Sequence, residues 1–217
     1  MGTVEISSAL TARRPRFRIY ADAGPGSVPP AQSGSDMATE RHNVVVYLEA
    51  VSDSSGDPAV PVVVSARLDS LRRGMMAQSN ERFEPHVLPV LQGGRVDFPN
   101  RDDIYHNVFS LSRARTFDLG RYPKGSSKSV VFSKTGIVQV FCHIHSDMSA
   151  IVFVLPNPYF GAPDANGQYV IDNVPPGEYT IVGWHERTRP VSQRVLVVAG
   201  QATTINFNLP LENRPGT

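Results

Sequence analysis

Apolar residues occur along this chain in short runs that are separated by glycine, proline and polar residues. No segment keeps an apolar residue at every third or fourth position over a long stretch, so the pattern does not predict long amphipathic helices. Short runs rich in valine, isoleucine and phenylalanine predict β-strands instead. In the first part of the chain the predicted strands are Phe17–Tyr20, Val44–Leu48, Val62–Ala66, Val87–Val90, Arg95–Phe98, Asn107–Phe109, Ser129–Phe132, Val138–Phe141 and Ala150–Leu155.

Turn signals separate these predicted strands. Tight turns are predicted at Gly93–Gly94, Lys124–Gly125 and Thr135–Gly136, and longer loops at Ala21–Glu40 and Ser52–Pro58. The 17 glycines and 18 prolines are spread along the chain, as in all-β proteins with many turns. Strands this short, at this spacing, predict a β-sandwich or a β-barrel.

Short predicted strands separated by turns also occur near the end of the chain, but with a different sequence pattern. Asp164–Ile171 places a glycine turn before an alternating strand, and Val174–Val182 places a Pro-Gly turn before another. Further strands are predicted at Arg194–Val198 and Thr204–Leu209. We therefore expect a second, small antiparallel module in this part of the chain.

Composition narrows the function classes. The chain has 217 residues, of which 41% are hydrophobic, so one large domain or two modest domains can each bury a core. A formal net charge of +1 argues against a dedicated nucleic-acid-binding protein. No apolar run reaches the ~18–20 residues that span a bilayer, so no membrane span is expected. The first residues lack a secretory signal pattern, which leaves a cytosolic protein or an exported protein whose signal has been removed.

The most informative motif is the stretch Val140–Met148, in which Cys142, His145 and Met148 follow a Cys-x₂-His-x₂-Met spacing. Cys142 is the only cysteine, so it cannot form an internal disulfide. A thiolate, an imidazole and a thioether on one loop are the soft and borderline ligands that copper prefers. A trigonal His₂Cys site with a weak axial methionine needs a second histidine, and His106 is the candidate.

The region Leu88–Val154 resembles a cupredoxin of the plastocyanin and amicyanin type. The matching stretches are Phe83–Pro85, Gly94–Asn100, His106–Val108 and Phe141–Met148. The resemblance implies a Greek-key β-sandwich that binds one type 1 (blue) copper ion.

Carried over residue by residue, the resemblance implies His106, Cys142 and His145 as equatorial ligands and Met148 as the axial ligand. It also implies that Asn107 holds the cysteine loop by hydrogen bonds. His145 would be the exposed ligand through which electrons pass, ringed by an apolar patch against which a redox partner docks.

The favoured function is therefore a one-electron carrier, and the copper site favours an exported, periplasmic protein over a cytosolic one. The alternative is a copper-handling protein for storage, delivery or resistance, for which His143 and the pair Met75–Met76 are the only hints. We expect no enzyme activity, because a catalytic copper needs further histidines and the chain has six in all. The alternative is a mononuclear copper enzyme with an open coordination position, which requires that Met148 does not bind. For His143 and His86 we favour surface positions, and for Met75–Met76 a strand or core position.

The stretch Asp164–Val182 resembles a carboxypeptidase-regulatory or transthyretin-like β-sandwich, whose two opening strands we place within Val4–Tyr20 and Asn43–Leu48. This predicts a cupredoxin domain at 61–155 inserted into a discontinuous module formed by 1–60 and 156–217. The alternative is an N-terminal extension that packs on the cupredoxin. We expect a packing role for Trp184 and a surface position for His185. The basic cluster Arg13–Arg18 is expected to be a solvated strand face, with attraction of an acidic redox partner as the alternative.

Overall fold

The computed structural model describes residues 1–11, 36–49 and 65–210. These residues contain a short 3-10 helix at Ser8–Thr11 and two α-helices, α1 (Met37–His42) and α2 (Ser65–Leu71). The remaining elements are strands, which are β1 (Gly2–Ile6), β2 (Val45–Leu48), β3 (Arg73–Met75), β4 (Ala77–Ser79), β5 (Arg82–Glu84), β6 (Val87–Leu91), β7 (Gly94–Pro99), β8 (His106–Ser112), β9 (Arg115–Tyr122), β10 (Ser127–Phe132), β11 (Gly136–Phe141), β12 (Ser149–Leu155), β13 (Phe160–Gly161), β14 (Gln168–Tyr169), β15 (Gly177–Trp184), β16 (Val191–Val197) and β17 (Phe207–Leu209).

The described residues divide into two compact units. One, which we call the continuous unit, contains residues 69–155. The other, the divided unit, contains residues 1–11, 36–49, 65–68 and 156–210, so both ends of the chain contribute to it. Within the described part of the chain, no helix is long and apolar enough to cross a membrane.

The continuous unit contains a five-stranded and a three-stranded sheet. The first has the order β6-β12-β11-β8-β9, and the second has the order β10-β7-β3. β12 pairs in parallel with β6 and antiparallel with β11. The predicted all-β fold with a sandwich architecture is confirmed.

Alternation along the strands places the core of this unit between its sheets. In β7, Val96 and Phe98 are fully buried, whereas Arg95 and Asp97 lie on the other face and form an ion pair of 2.9 Å. Successive side chains of a strand point to opposite faces of its sheet, so every second residue points between the two sheets. These inward-pointing side chains from both sheets form one apolar cluster. Its members include Val90, Val96, Phe98, Val108, Val130, Phe132, Val138, Val140, Ala150, Val152 and Val154.

The strand predictions for the continuous unit are confirmed wherever valine and phenylalanine dominate the run. The longest strand missed from the sequence is β9, in which exposed and half-buried residues alternate as far as the buried Tyr122. Its polar residues hid the strand, although it pairs with β8 along most of its length. Met75 ends β3, and Met76 is buried in the core, as expected.

Several sequence predictions fall wholly or partly outside the described residues. These are the strand Phe17–Tyr20, the loop Ser52–Pro58, the cluster Arg13–Arg18, residues 21–35 of the predicted loop and residues 62–64 of the predicted strand Val62–Ala66. Two corrections follow for the described ends of these segments. Ser65 and Ala66, which were predicted to end a strand, begin helix α2 instead. Helix α1 begins inside the predicted loop Ala21–Glu40, and the Asp36 side chain caps it by accepting a hydrogen bond of 2.7 Å from Thr39 N.

The divided unit also contains two sheets. One has the order β13-β2-β15-β16, and the other has the order β14-β1-β17, with β1 parallel to β17. They surround a core that includes Val4, Leu10, Val46, Tyr159, Tyr169, Ile181, Phe207 and Leu209. The transthyretin-like character of this module stays a prediction.

His185 is fully buried in the divided unit, so the surface position expected from the sequence was wrong. Its Nε2 atom lies 3.1 Å from Oε2 of Glu40, which is also fully buried. Asn43 Nδ2 donates to the same carboxylate oxygen at 3.3 Å. Burial of a polar side chain is tolerated when the side chain has a hydrogen-bonding partner. The partner of His185 is Glu40, which lies 145 residues earlier in the chain. Trp184 is half-buried.

Candidate metal centre

The Cys-x₂-His-x₂-Met motif forms the loop between β11 and β12. Cys142 follows the last residue of β11, and Met148 precedes the first residue of β12. The two strands pair directly at Phe141 and Ser149, so the loop is closed at its base. Inside the loop, Cys142 N donates to Met148 O at 3.3 Å and Met148 N donates to His145 O at 3.0 Å. These backbone bonds tie the three residues to one another within the loop.

His106 comes from the neighbouring strand. It is the first residue of β8, which pairs with β11 between Phe109 and Phe141. His106 is fully buried, and its Nδ1 atom lies 3.9 Å from Cys142 Sγ and 3.1 Å from His145 Nδ1. Cys142 Sγ in turn lies 3.8 Å from His145 Nδ1. Sheet pairing therefore joins donor atoms that lie 36 to 39 residues apart in the chain.

These three donor atoms have the spacing that one metal ion requires. All lie within 4.8 Å of one another, and no other group of three or more such ligands was found among the described residues. Nitrogen and sulfur ligands bind metal ions at about 2.0–2.3 Å, so ligands of one ion lie roughly 3–4 Å apart. Two imidazoles and one thiolate are the donor set of a trigonal copper site, so the residues fit a copper ion.

Met148 ends the loop that carries two members of this group. Its side chain is buried in the same apolar cluster as Cys142. Its role as the axial ligand stays a prediction.

Asn107 holds the cysteine loop as the resemblance implied. Its Oδ1 atom accepts a hydrogen bond of 3.2 Å from His143 N, the residue after the cysteine. Its Nδ2 atom donates to Asp118 Oδ1 at 2.7 Å, which fixes the orientation of the amide. Asp118 belongs to β9, the strand that the sequence did not reveal, so this contact was missed.

Asp102, which the sequence did not reveal as a site residue, contacts His106. Its Oδ2 atom lies 2.7 Å from His106 Nε2, the ring nitrogen that points away from the cluster. Asn80 N and Glu81 N donate to the two carboxylate oxygens at 2.6 and 2.9 Å. Burial raises the pKa of Asp102, but these hydrogen bonds outweigh it and hold the pKa below the ordinary value. The only sequence signal for this contact was the position of Asp102, four residues before His106.

His145 is the less buried of the two clustered histidines. Its partial burial and the nearby His106 lower its pKa, although Glu81 and Asp102 act in the opposite direction. Protonation of its ring is thereby disfavoured, which keeps a nitrogen lone pair available for a metal. Exposed apolar side chains precede both histidines in the sequence: Ile104 and Tyr105 before His106, and Ile144 before His145.

The extra candidate ligands lie apart from the three clustered donors. The His143 ring stacks on Phe109 with a centroid distance of 3.7 Å, and its Nε2 atom is 3.7 Å from Asp118 Oδ2. The side chain is exposed, as expected from the sequence. His86 is half-buried. Met75 is exposed, and its sulfur accepts a contact of 3.7 Å from Arg101 Nη2.

No protein-family model matches the chain, and no curated protein sequence matches it. Solved structures do resemble part of it. A purple cupredoxin from Nitrosopumilus maritimus is 19% identical with a TM-score of 0.35, and the match covers 38% of this chain and 99% of that one. A reduced amicyanin variant is 23% identical with a TM-score of 0.36, covering 37% of this chain and 80% of that one.

A copper-containing nitrite reductase from Thermus scotoductus is 21% identical with a TM-score of 0.37. That match covers 50% of this chain and only 26% of the reductase chain. The solved structures named here are thus cupredoxins and a copper enzyme that resemble this chain over half of its length or less.

Proposed function

We propose that this protein is a type 1 copper protein that carries single electrons between redox partners. The observation that carries the proposal is the convergence of Cys142 Sγ, His106 Nδ1 and His145 Nδ1 within 4.8 Å at one end of a β-sandwich. Copper bound by these atoms would supply the one-electron chemistry by alternating between Cu(I) and Cu(II).

The chain supplies rigidity and exclusion of water at this site. Cys142 and His106 are buried, and both are anchored to paired strands, so their positions depend little on the oxidation state of a bound ion. Little reorganisation on electron transfer is the property that such a site needs. We assign Met148 as the axial ligand because it ends the loop that begins at Cys142 and its side chain is buried in the same apolar cluster.

His145 is the proposed route for electrons. It is the partly exposed member of the group, and exposed apolar side chains adjoin the ligand histidines in the sequence. We propose that a redox partner docks on this face. We also propose that the protein is exported and acts in the periplasm. A site closed by Met148 leaves no open position for a substrate, so we propose a carrier and not an enzyme.

The test must separate electron carriage from copper handling. Copper-loaded protein would be cycled with one-electron reductants and oxidants in the presence of a chelator of moderate copper affinity. A carrier retains its copper in both oxidation states and returns to its starting absorption spectrum after each cycle. Loss of copper to the chelator on reduction would contradict the proposal and favour a delivery or storage protein.

A further inference from the structure

The Asp102 side chain connects the candidate metal centre to a strained turn. Its Oδ1 atom accepts a hydrogen bond from Asn80 N at 2.6 Å, and its Oδ2 atom accepts one from Glu81 N at 2.9 Å. The same Oδ2 atom lies 2.7 Å from Nε2 of the fully buried His106. Only 14% of the Asp102 side chain is exposed, so solvent screens these contacts weakly.

Asn80 and Glu81 form the two-residue turn between β4 and β5. Ser79 pairs with Arg82, and both turn residues have left-handed backbone conformations, with φ of 53° and 55°. Two-residue hairpin turns of this kind favour glycine, and a left-handed backbone is unfavourable for a glutamate. Here two consecutive N–H groups point at one carboxylate. The hydrogen bonds to Asp102 thus compensate for the strain of the turn, and the turn directs two N–H donors at the Asp102 carboxylate.

The carboxylate also determines which nitrogen of His106 carries a proton. An ionised carboxylate only accepts hydrogen bonds, so His106 Nε2 must be the N–H donor. The Nδ1 lone pair is then free and faces Cys142 Sγ and His145 Nδ1. A carboxylate partner makes a ligand imidazole more basic, and a fixed negative charge near the site favours the more positive oxidation state of a metal.

From these contacts we infer that Asp102 is a positioning residue: braced by the β4–β5 turn, it holds His106 in its metal-binding tautomer and lowers the reduction potential of bound copper. This inference rests on the proposed copper site. Asp102 is itself braced, because its backbone N donates to Asn100 Oδ1 at 2.9 Å. The amide of Asn100 also donates to Ile104 O at 2.8 Å and to Tyr122 O at 3.1 Å.

The test compares Asp102→Asn with the matched control Asp103→Asn. Both variants remove one negative charge from adjacent positions. Asp103, however, is 89% exposed and pairs with Lys124 at 2.6 Å. We expect D102N to reduce the ratio of Cu(II) to Cu(I) affinity at least tenfold, which raises the midpoint potential by about 59 mV for a one-electron couple. D103N should change the ratio less than twofold, and equal shifts in both variants would overturn the inference.

A measurement on the metal-free wild-type protein needs no variant and does not depend on copper. Nitrogen NMR of the His106 ring at mildly alkaline pH should show a protonated Nε2 and an unprotonated Nδ1. A protonated Nδ1 would overturn the inference even if D102N fails to fold. The outcomes also separate the two proposals. Failure of the wild type to form a type 1 site contradicts the proposed function, whereas an intact site with an unshifted D102N potential contradicts only the role of Asp102.

Discussion

Cys142 is both a core residue and a neighbour of two imidazole rings. Its side chain is a member of the apolar core, and its sulfur lies within 4 Å of two imidazole nitrogens. A buried thiol in purely apolar surroundings would be inert, whereas a thiol beside two nitrogen donors can be deprotonated by a bound metal.

Replacement of Cys142 by alanine should abolish the intense visible absorption of the copper-loaded protein, because thiolate-to-copper charge transfer requires that sulfur. The fold should persist, since the side chain that is removed is small. Absorption and circular dichroism spectra check both expectations. His143→Ala is the matched control in the same loop, and it should retain the colour because its ring lies on Phe109 and outside the donor cluster. A coloured C142A protein would contradict the assignment of the site.

Met148→Gln should leave copper bound but lower its reduction potential, because an amide oxygen is a harder ligand that favours Cu(II) over Cu(I). We expect at least a tenfold change in relative affinity, or about 59 mV by voltammetry. The control is Met75→Gln, which alters a half-exposed thioether that is not part of the Cys142 core cluster. An unchanged potential in M148Q would argue against Met148 as the axial ligand.

Single residues also show where sequence analysis succeeds and where it stops. The four proposed ligands were visible in the sequence because their types and spacing carry the chemistry. Asp102 and Asp118 were not, because an aspartate in a polar stretch has no signature until strand pairing brings it to a histidine or an asparagine. His185 was placed wrongly for the same reason, since its partner Glu40 is distant in sequence.

At the level of elements, burial on both faces made strands predictable. In β12 all residues from Ala150 to Leu155 are buried, and the apolar run identified the strand directly. In β9 every residue before Tyr122 is exposed or half-buried. Such an edge strand has no continuous apolar run, so only its pairing with β8 reveals it.

The divided unit depends on a close approach between its N-terminal strand and a later turn. Val4 N donates to Gly167 O at 2.7 Å, and a Cβ atom at Gly167 would lie 2.5 Å from Val4 O. The φ of Gly167 is +84°, so alanine there would suffer both backbone strain and a clash with backbone.

Gly167→Ala should therefore lower the free energy of unfolding by roughly 2–4 kcal/mol, which combines about 1–2 kcal/mol of left-handed strain with the displacement of β1. Gly200→Ala is the matched control in the same unit, because its φ is +72° and a Cβ there meets no atom within 4 Å. Denaturant unfolding of both variants measures the difference. Equal losses would show that β1 does not approach the turn as closely as the structure has it.

At the scale of the whole molecule, a bound metal should stabilise the folded chain. The donors converge only in the folded state, since strand pairing brings His106 to the Cys142 loop. Copper at a free concentration one hundred times its dissociation constant should add about 2.7 kcal/mol to the free energy of unfolding. Thermal unfolding with and without copper checks this value. Equal stabilisation of the C142A variant would indicate that copper binds elsewhere.

The most direct test of the account is the absorption and electron paramagnetic resonance spectrum after one equivalent of Cu(II) is added. The geometry of Cys142, His106 and His145 predicts an intense band in the orange-to-red region together with narrow copper hyperfine splitting. A weak band with wide splitting, or rapid bleaching to stable Cu(I), would contradict a type 1 electron-transfer site.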